Sequence, residues 1–175
     1  MLASVLVAYA TRYGSTQEVA EAVAATLRER GLEVDIGPMQ KVRTLDQYRA
    51  VVLGAPLFMF HWHKDARRFL SRHREALTQR PVVIFALGPV GSPIDEKGWQ
   101  TCRAQLDQDL AQFPWLRPVA LELFGGKIDP AKFRFPEKLL SKQIAKAMPV
   151  TDSRDWTAIH AWASALAVML QPAVA

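Results

Sequence analysis

The chain has 175 residues, of which 50% are hydrophobic, and its 22 Lys and Arg against 17 Asp and Glu give a formal net charge of +5 at pH 7. This length and composition suit one domain with a full apolar core, so we expect residues 1–175 to form a single domain. The positive charge is too small for a dedicated nucleic-acid-binding protein, and the single cysteine, Cys102, excludes an intramolecular disulfide, a CxxC redox pair and a cysteine-rich metal site.

The predicted elements alternate between short apolar strands and amphipathic helices. Residues 4–10 form a valine-rich run without alternation, which is typical of a strand buried on both faces. Ser15 and Glu18 have the spacing of a capping box, and apolar residues then recur at helical spacing until Gly31 ends the helix. Later strands are predicted at 32–36, 50–54, 81–87 and 118–124, and later helices at 65–77, at 96–113 and after a cap at Asp152 or Ser153. This order predicts an α/β fold with a doubly wound parallel sheet of about five strands.

The first loop carries hydroxyl side chains around one glycine, directly before the first predicted helix. Its residues, all assigned to cofactor binding, are Thr11, Arg12, Tyr13, Gly14, Ser15 and Thr16. Ligands of doubly wound sheets bind outside the carboxyl ends of the strands, where the N–H groups and dipole of a helix start attract an anion. The loop has neither GxGxxG nor Walker spacing, so we predict that it binds the phosphate monoester of FMN. In the alternative interpretation, Ser15 and Thr16 only cap the helix and Gly14 turns the chain.

Three stretches, which together span nearly the whole chain, resemble the flavodoxin family. They are Thr11-Arg12 ahead of Gly14, Gly54-Ala55 leading to His61-Trp62-His63, and residues 129–133 followed by a basic stretch and residues 151–156. More narrowly, they are similar to the branch that includes menaquinone-dependent protoporphyrinogen dehydrogenases. The resemblance implies sheet order 2-1-3-4-5 with FMN at the ends of strands one, three and four. It also implies an FMN-dependent oxidoreductase that passes electrons from a reduced organic substrate to a quinone.

Two further loops are predicted to hold the flavin ring. The loop after the third strand is rich in aromatic residues, and Phe58, Phe60 and Trp62 are candidates to stack on the ring. The loop after the fourth strand contains glycines, which let backbone groups approach a ligand closely. The residues assigned to cofactor binding are Pro56, Leu57, Phe58, Met59, Phe60, His61 and Trp62 in the first loop, and Gly88, Pro89, Val90 and Gly91 in the second. Plain packing of the first loop and an ordinary Gly/Pro turn in the second are the alternatives.

The aromatic loop departs from the family pattern at one position. Phe60 stands where related proteins have a glycine whose peptide stabilises the flavin semiquinone, which makes one-electron shuttling less favoured. No catalytic residue follows from the sequence alone. His61 is the candidate for proton transfer, because imidazole titrates near neutrality, and His63 is either a second candidate or chemically silent.

A basic amphipathic stretch follows the fifth predicted strand. In residues 136–148, apolar side chains occupy one half of a helix and lysines the other, and residues 132–135 add two cations and two phenylalanines. This pattern predicts either a helix packed on the sheet or a peripheral membrane contact through 132–148. With no basic leader and no apolar run long enough to span a bilayer, we expect a cytoplasmic protein that contacts at most the inner face of the membrane.

Two other functions remain as alternatives to the enzyme. A non-catalytic flavodoxin carrier would serve another redox protein, although typical carriers are acidic and this chain is basic. A quinone reductase fed by a nicotinamide cofactor would need a second nucleotide site, which the sequence does not reveal. The expected partners are a quinone or another redox protein, without nucleic acid or metal, and the pattern makes no prediction about the oligomeric state.

Overall fold

A computed structural model describes residues 4–58, 61–91, 93–132 and 149–173. The strands are β1 (Ser4–Tyr9), β2 (Val34–Pro38), β3 (Tyr48–Phe58), β4 (His61–Trp62), β5 (Val82–Leu87), β6 (Ala120–Phe124), β7 (Lys127–Ile128) and β8 (Thr151–Asp152). The helices are α1 (Ser15–Glu29), α2 (Lys64–Arg72), α3 (Arg74–Thr78), α4 (Glu96–Leu110) and α5 (Trp156–Met169), with 3-10 turns at Met39–Lys41 and Pro130–Lys132. Among the helices in these ranges, none is both long enough and apolar enough to cross a membrane. The predicted basic helix at 136–148 lies outside the described residues.

The central sheet is parallel and doubly wound, in the order β2-β1-β3-β5-β6. Counted along the chain, its five parallel strands have the predicted order 2-1-3-4-5, which is confirmed. The direction of winding reverses between β1 and β3, which pair in parallel and place their carboxyl ends side by side. Ligands bind at this switch point in doubly wound sheets. The short strand β4 adds an antiparallel pair to the end of β3, and β7 pairs with β8 in a separate two-stranded sheet.

An apolar core lies on each face of the sheet, which explains why the strands lack alternation. In β1, Val5 and Val7 pack with α1 and α5, whereas Leu6 and Ala8 pack with α2 and α4 on the other face. Each successive side chain of a strand points to the opposite face, so a strand covered on both sides must be apolar throughout. The apolar run in the sequence therefore predicts a central position correctly.

The start of α1 differs from the predicted capping box. Gly14, not Ser15, is the N-cap; it has a left-handed backbone with φ of 93° and contributes no side chain to the cap. Ser15 is the first helical residue, and Glu18 pairs with Arg154 rather than with the helix start. The capping-box prediction is therefore wrong, because the chain turns one residue earlier than the Ser-x-x-Glu pattern indicates.

Two further predictions need correction. The final helix is capped by the carboxylate of Asp155, so Asp152 and Ser153 are not its cap; Asp152 lies in β8. The predicted helix at 65–77 is two helices, because the backbone of His73 (φ −105°, ψ 21°) interrupts it where the imidazole packs on Phe69. Apart from β3, which is four residues longer at its carboxyl end, the other predicted boundaries lie within three residues of those observed.

Candidate functional site

The loop between β1 and α1 presents a helix start at the switch point of the sheet. A Cβ atom added to Gly14 would meet no atom within 4 Å, so the positive φ, and not crowding, requires glycine there. Thr11 holds the turn, since its Oγ1 accepts a hydrogen bond of 2.8 Å from the Gly14 N–H. No side chain in the described ranges caps α1, so the N–H groups of its first turn are free of a side-chain partner. Such a helix start favours an anion.

The hydroxyl of Thr16 is the second unusual feature of this loop. The residue is fully buried, and its Oγ1 has no hydrogen-bond partner among the described residues. A buried hydroxyl without a partner is destabilising, so its presence in a folded chain calls for an explanation. It does not cap the helix, and neither does Ser15, so the alternative in which both serve as caps is wrong.

A cavity of about 380 Å³ lies beside this loop, at the carboxyl ends of β1, β3 and β5. It brings together residues of all three predicted loops. They are Arg12, Tyr13 and Ser15 from the first loop, Pro56, Leu57 and Phe58 from β3, and Gly88 and Val90 after β5. The remaining walls are formed by Leu87 and by residues that the sequence did not reveal, namely Gly126, Lys127 and Ile128. Thr11, Gly14, Thr16, Pro89 and Gly91 lie within the same loops but do not line the cavity.

As far as the described residues form it, the cavity combines apolar walls with two cationic side chains. The guanidinium carbon of Arg12 lies 4.1 Å from the centroid of the Phe58 ring, and Arg12 Nε donates a hydrogen bond of 3.0 Å to the Tyr13 hydroxyl. Lys127 supplies the second cation, from the first residue of β7. Apolar walls with a few convergent charges are typical of sites for small organic ligands, and here the charges favour an anionic group.

The aromatic loop differs in part from its prediction. Pro56, Leu57 and Phe58 belong to the end of β3, not to a loop, and Met59 and Phe60 lie outside the described residues. Trp62 is fully buried in the core, where its Nε1 donates a hydrogen bond of 3.1 Å to the Ala55 carbonyl. A fully buried indole has no face for a ligand, so the expected stacking of Trp62 on a flavin ring is corrected.

The two histidines of this region have different surroundings. His61 Nδ1 lies 3.1 Å from Oδ1 of Asp109, and the other carboxylate oxygen accepts a hydrogen bond of 2.6 Å from the Trp62 N–H. His63 caps α2 instead, because its Nδ1 accepts a hydrogen bond of 3.1 Å from the Asp65 N–H. Burial lowers the pKa of His63, against the opposing effect of Asp65. His63 thus has a structural role, whereas His61 is an exposed imidazole held by a carboxylate.

Arg154 ties the segment after the insert to the start of α1. Its side chain is 3% exposed and donates hydrogen bonds of 2.6 Å to Glu18 Oε2, 2.8 Å to Asp152 Oδ2 and 3.2 Å to the Ser15 carbonyl. The hydrogen bond from Arg154 lowers the pKa of Asp152. Asp152 and Glu18 together hold the guanidinium in place at the start of α1.

Ser153, which precedes Arg154, links the same segment to the loop after β5. Its hydroxyl donates a hydrogen bond of 2.7 Å to the Gly91 carbonyl and accepts one of 2.9 Å from the Gly91 N–H. Ser153 and Arg154 together link two of the loops that surround the cavity. The sequence singles out residues 151–156 through the family resemblance and as a helix cap, and it predicts no contact between them and the loops of the site.

A second, open cavity of about 600 Å³ adjoins the first. The two share Leu57, Gly88 and Val90 as walls, and α4 closes the far side through residues that include Cys102 and Gln105. Burial raises the pKa of the Cys102 thiol, which keeps it protonated and unreactive near neutral pH. In the described ranges, no group of three or more His, Cys, Asp or Glu side chains is arranged to hold a metal ion.

A doubly wound sheet with order 2-1-3-4-5 and a helix start without a side-chain cap at its switch point defines a flavodoxin-like protein. A family model described as "Flavodoxin domain" matches residues 6–155, and the chain therefore belongs to the flavodoxin domain family. Membership of this family implies a flavin cofactor and redox partners.

Two similar proteins bear the name "Protoporphyrinogen IX dehydrogenase [quinone]". The one from Escherichia coli (strain K12) is 25% identical over 171 residues, which cover 93% of each chain. The one from Leishmania major is 24% identical over 174 residues, which cover 94% of this chain and 74% of that protein. These relatives are named as dehydrogenase enzymes and share most of their length with this chain.

Solved structures agree with the fold. A flavodoxin from Streptococcus pneumoniae TIGR4 superposes with a TM-score of 0.53 at 18% identity. The superposition covers 83% of this chain and 100% of that one. The Flv1 flavodiiron core from Synechocystis superposes with a TM-score of 0.51 at 12% identity, covering 97% of this chain and 37% of that one. At these identities the likeness concerns the fold alone.

Proposed function

We propose that the chain is an FMN-dependent oxidoreductase that passes electrons from a reduced organic substrate of the protoporphyrinogen class, through FMN, to a quinone. The observation that carries the proposal is the arrangement of one cavity of about 380 Å³, where apolar walls and two cations meet an uncapped helix start. FMN has the matching parts, namely a flat apolar ring system and a phosphate. The names of the relatives support the enzyme over a carrier and supply the substrate class.

The phosphate of FMN fits the first loop on an observation independent of the family. Among the described residues, Thr16 Oγ1 is a buried donor without a partner, and no side chain caps the N–H groups of the first turn of α1. A phosphate oxygen accepts hydrogen bonds from both kinds of donor. In this proposal Thr11 fixes the turn, Ser15 and Thr16 supply hydroxyls, and Arg12 adds positive charge.

The ring of FMN is assigned to the walls formed by the end of β3 and the loop after β5. Leu57, Phe58 and Val90 supply apolar contacts there, and Gly88 allows close approach of the backbone. Pro56 completes the wall at the end of β3, and Pro89 and Gly91 belong to the loop after β5 that carries Gly88 and Val90. Bound FMN supplies the redox chemistry, because it accepts two electrons from an organic donor and delivers them to a quinone. The protein contributes binding, orientation and exclusion of water.

The second cavity is the proposed place for the substrate. It shares Leu57, Gly88 and Val90 with the first cavity, so molecules in the two cavities would be separated by no more than these shared walls. A peripheral membrane contact through 132–148 would bring the chain to a lipid-soluble quinone, and it stays a prediction because residues 133–148 lie outside the described ranges.

An anaerobic turnover assay tests this function. The chain is loaded with FMN and mixed with protoporphyrinogen and menadione, and the fluorescence of the porphyrin product is followed. We expect formation of porphyrin well above the rate with the same concentration of free FMN, and loss of that rate in the double variant Thr11→Ala/Ser15→Ala. A protein that reduces cytochrome c but forms no porphyrin would be a carrier, and the enzyme proposal would be refuted.

A further inference from the structure

A buried carboxylate faces an exposed imidazole at the short strand β4. The Asp109 side chain is 3% exposed, whereas that of His61 is 59% exposed. Burying a carboxylate is costly unless hydrogen bonds satisfy its oxygens. Both oxygens of Asp109 are engaged, because Oδ2 accepts the Trp62 N–H at 2.6 Å and Oδ1 lies 3.1 Å from His61 Nδ1. Trp62 and Asp109 are 47 positions apart in the chain, and His61 and Asp109 are 48 positions apart.

The carboxylate determines which nitrogen of His61 carries the proton. An ionised carboxylate only accepts hydrogen bonds, so Nδ1 must be the donor in this pair. In a neutral imidazole the other nitrogen, Nε2, then has a free lone pair and acts as an acceptor. A carboxylate that orients an imidazole in this way produces an effective general base in the Ser-His-Asp triad.

His61 lines neither cavity among the described residues, but it lies beside residues that do. It stands directly opposite Phe58 in the antiparallel register, and Phe58 lines the cavity of about 380 Å³. Directly opposite residues of such a pair project from the same face, with Cβ atoms about 4.5–5.5 Å apart. Trp62, the neighbour of His61, projects from the other face into the core. The exposed imidazole therefore lies beside Phe58 of the first cavity, and its partner Asp109 is one turn of α4 beyond Gln105, which lines the second cavity.

We propose that His61 Nε2 accepts a proton from the substrate during its oxidation, and that Asp109 is a positioning residue that holds the imidazole in the required tautomer. This inference rests on the proposed function. The substrate class is one that loses N–H protons on oxidation, as a reduced tetrapyrrole does. In the step, an N–H bond of the substrate breaks, its electron pair stays on nitrogen, and the proton forms a bond to Nε2. The resulting imidazolium later releases that proton to water.

The first test needs neither flavin nor substrate. Nitrogen-15 NMR of the imidazole groups in the flavin-free chain reports which nitrogen of His61 is protonated. We expect the Nδ1–H tautomer in the wild type. In Asp109→Asn the side-chain amide can donate to Nδ1, so the tautomer should shift toward Nε2–H. A wild-type His61 in the Nε2–H form would overturn the assignment.

The second test is a double-mutant cycle on turnover. His61→Gln should lower kcat by about 100-fold, the lower end of what a general base contributes. Asp109→Asn should lower kcat in the wild-type background and have no further effect in the His61→Gln background, because it acts through His61. FMN affinity should stay constant in every variant. The control is His160→Gln, which changes an exposed histidine on α5 and should leave kcat unchanged.

The outcomes separate the inference from the proposed function. An equal loss from Asp109→Asn in both backgrounds would mean that Asp109 only stabilises the fold, and normal turnover by His61→Gln would remove His61 from the reaction. A wild-type chain that binds FMN but oxidises no protoporphyrinogen would refute the proposed function, and the catalytic part of this inference with it. The tautomer measurement would still decide whether Asp109 positions His61.

Discussion

Replacing Thr16 by valine should change stability and flavin affinity in opposite directions. Valine has nearly the shape of threonine but no hydroxyl, and Thr16 Oγ1 is buried without a partner among the described residues. An unsatisfied buried polar group costs about 1–3 kcal/mol. Thr16→Val should therefore raise the free energy of unfolding of the flavin-free chain by about 1 kcal/mol, the low end of that range.

The same substitution should weaken FMN binding. If Thr16 donates to the phosphate, the variant loses a hydrogen bond to a charged group, which contributes about 1.5–3 kcal/mol. Because each 1.4 kcal/mol corresponds to a factor of ten, the Kd for FMN should rise by about 10-fold to 150-fold. A side chain with only a packing role would not produce this pair of opposite changes.

Urea denaturation of the flavin-free chain and a fluorescence titration with FMN measure the two effects. Thr26→Val is the matched control on the same helix, since Thr26 Oγ1 donates a hydrogen bond of 3.0 Å to the Ala22 carbonyl and lies 3.1 Å from His160 Nδ1. That variant should lose about 1 kcal/mol of stability and keep its affinity for FMN. A Thr16→Val variant that is destabilised and binds FMN normally would refute the reasoning.

Three further substitutions test the surrounding structure. Arg154→Met removes the bonds to two carboxylates that are partly exposed, so the loss of stability should be about 2 kcal/mol, less than for a fully buried pair, and the Kd for FMN should rise. Gly54→Ala places a methyl group into the ring of Phe85, and overpacking of this kind costs about 1–3 kcal/mol in urea denaturation. Burial lowers the pKa of His73, so the folded chain binds its proton less readily than the unfolded chain, and stability should fall as the pH drops below about 6.5. His73→Leu should reduce this loss of stability between pH 7.5 and 5.5. Part of the loss that remains in this variant is due to His63, whose pKa is also lowered.

Each of these predictions has a contrary outcome. Unchanged FMN affinity in Arg154→Met would show that the link between residues 151–156 and α1 does not support the phosphate loop. Wild-type stability of Gly54→Ala would mean that β3 and the Phe85 ring separate easily. An identical pH dependence in His73→Leu would assign the acid sensitivity to other groups.

The sheet was predictable because its signal is local. Continuous apolar runs mark strands covered on both faces, and helical spacing between these runs marks the crossover helices. In β1, for example, Leu6 packs in the core on one face of the sheet, and its neighbours Val5 and Val7 pack in the core on the other. The strand order came from the family resemblance, since apolar periodicity does not specify which strands pair. The break at His73 carries no Gly or Pro signal, so it could not be found from sequence pattern.

The site was predictable at the first loop and less so elsewhere. Hydroxyls around Gly14 at a helix start have a local physical meaning, whereas the contacts of Arg154 with Glu18 and of Asp109 with His61 join elements far apart in the chain. Lys127 reaches the cavity from β7, which is paired with β8 from more than twenty residues later in the chain. For Trp62, aromatic composition alone could not show which face of the strand would be buried.

A titration of the purified chain with FMN and with riboflavin, followed by flavin fluorescence, tests the central claim most directly. The two ligands share the ring and differ in the phosphate that the start of α1 is proposed to bind. We predict binding of one FMN per chain and affinity for riboflavin lower by about 100-fold or more, because the phosphate contacts are charge-assisted hydrogen bonds. Equal affinity for the two ligands, or no binding of FMN, would contradict the account.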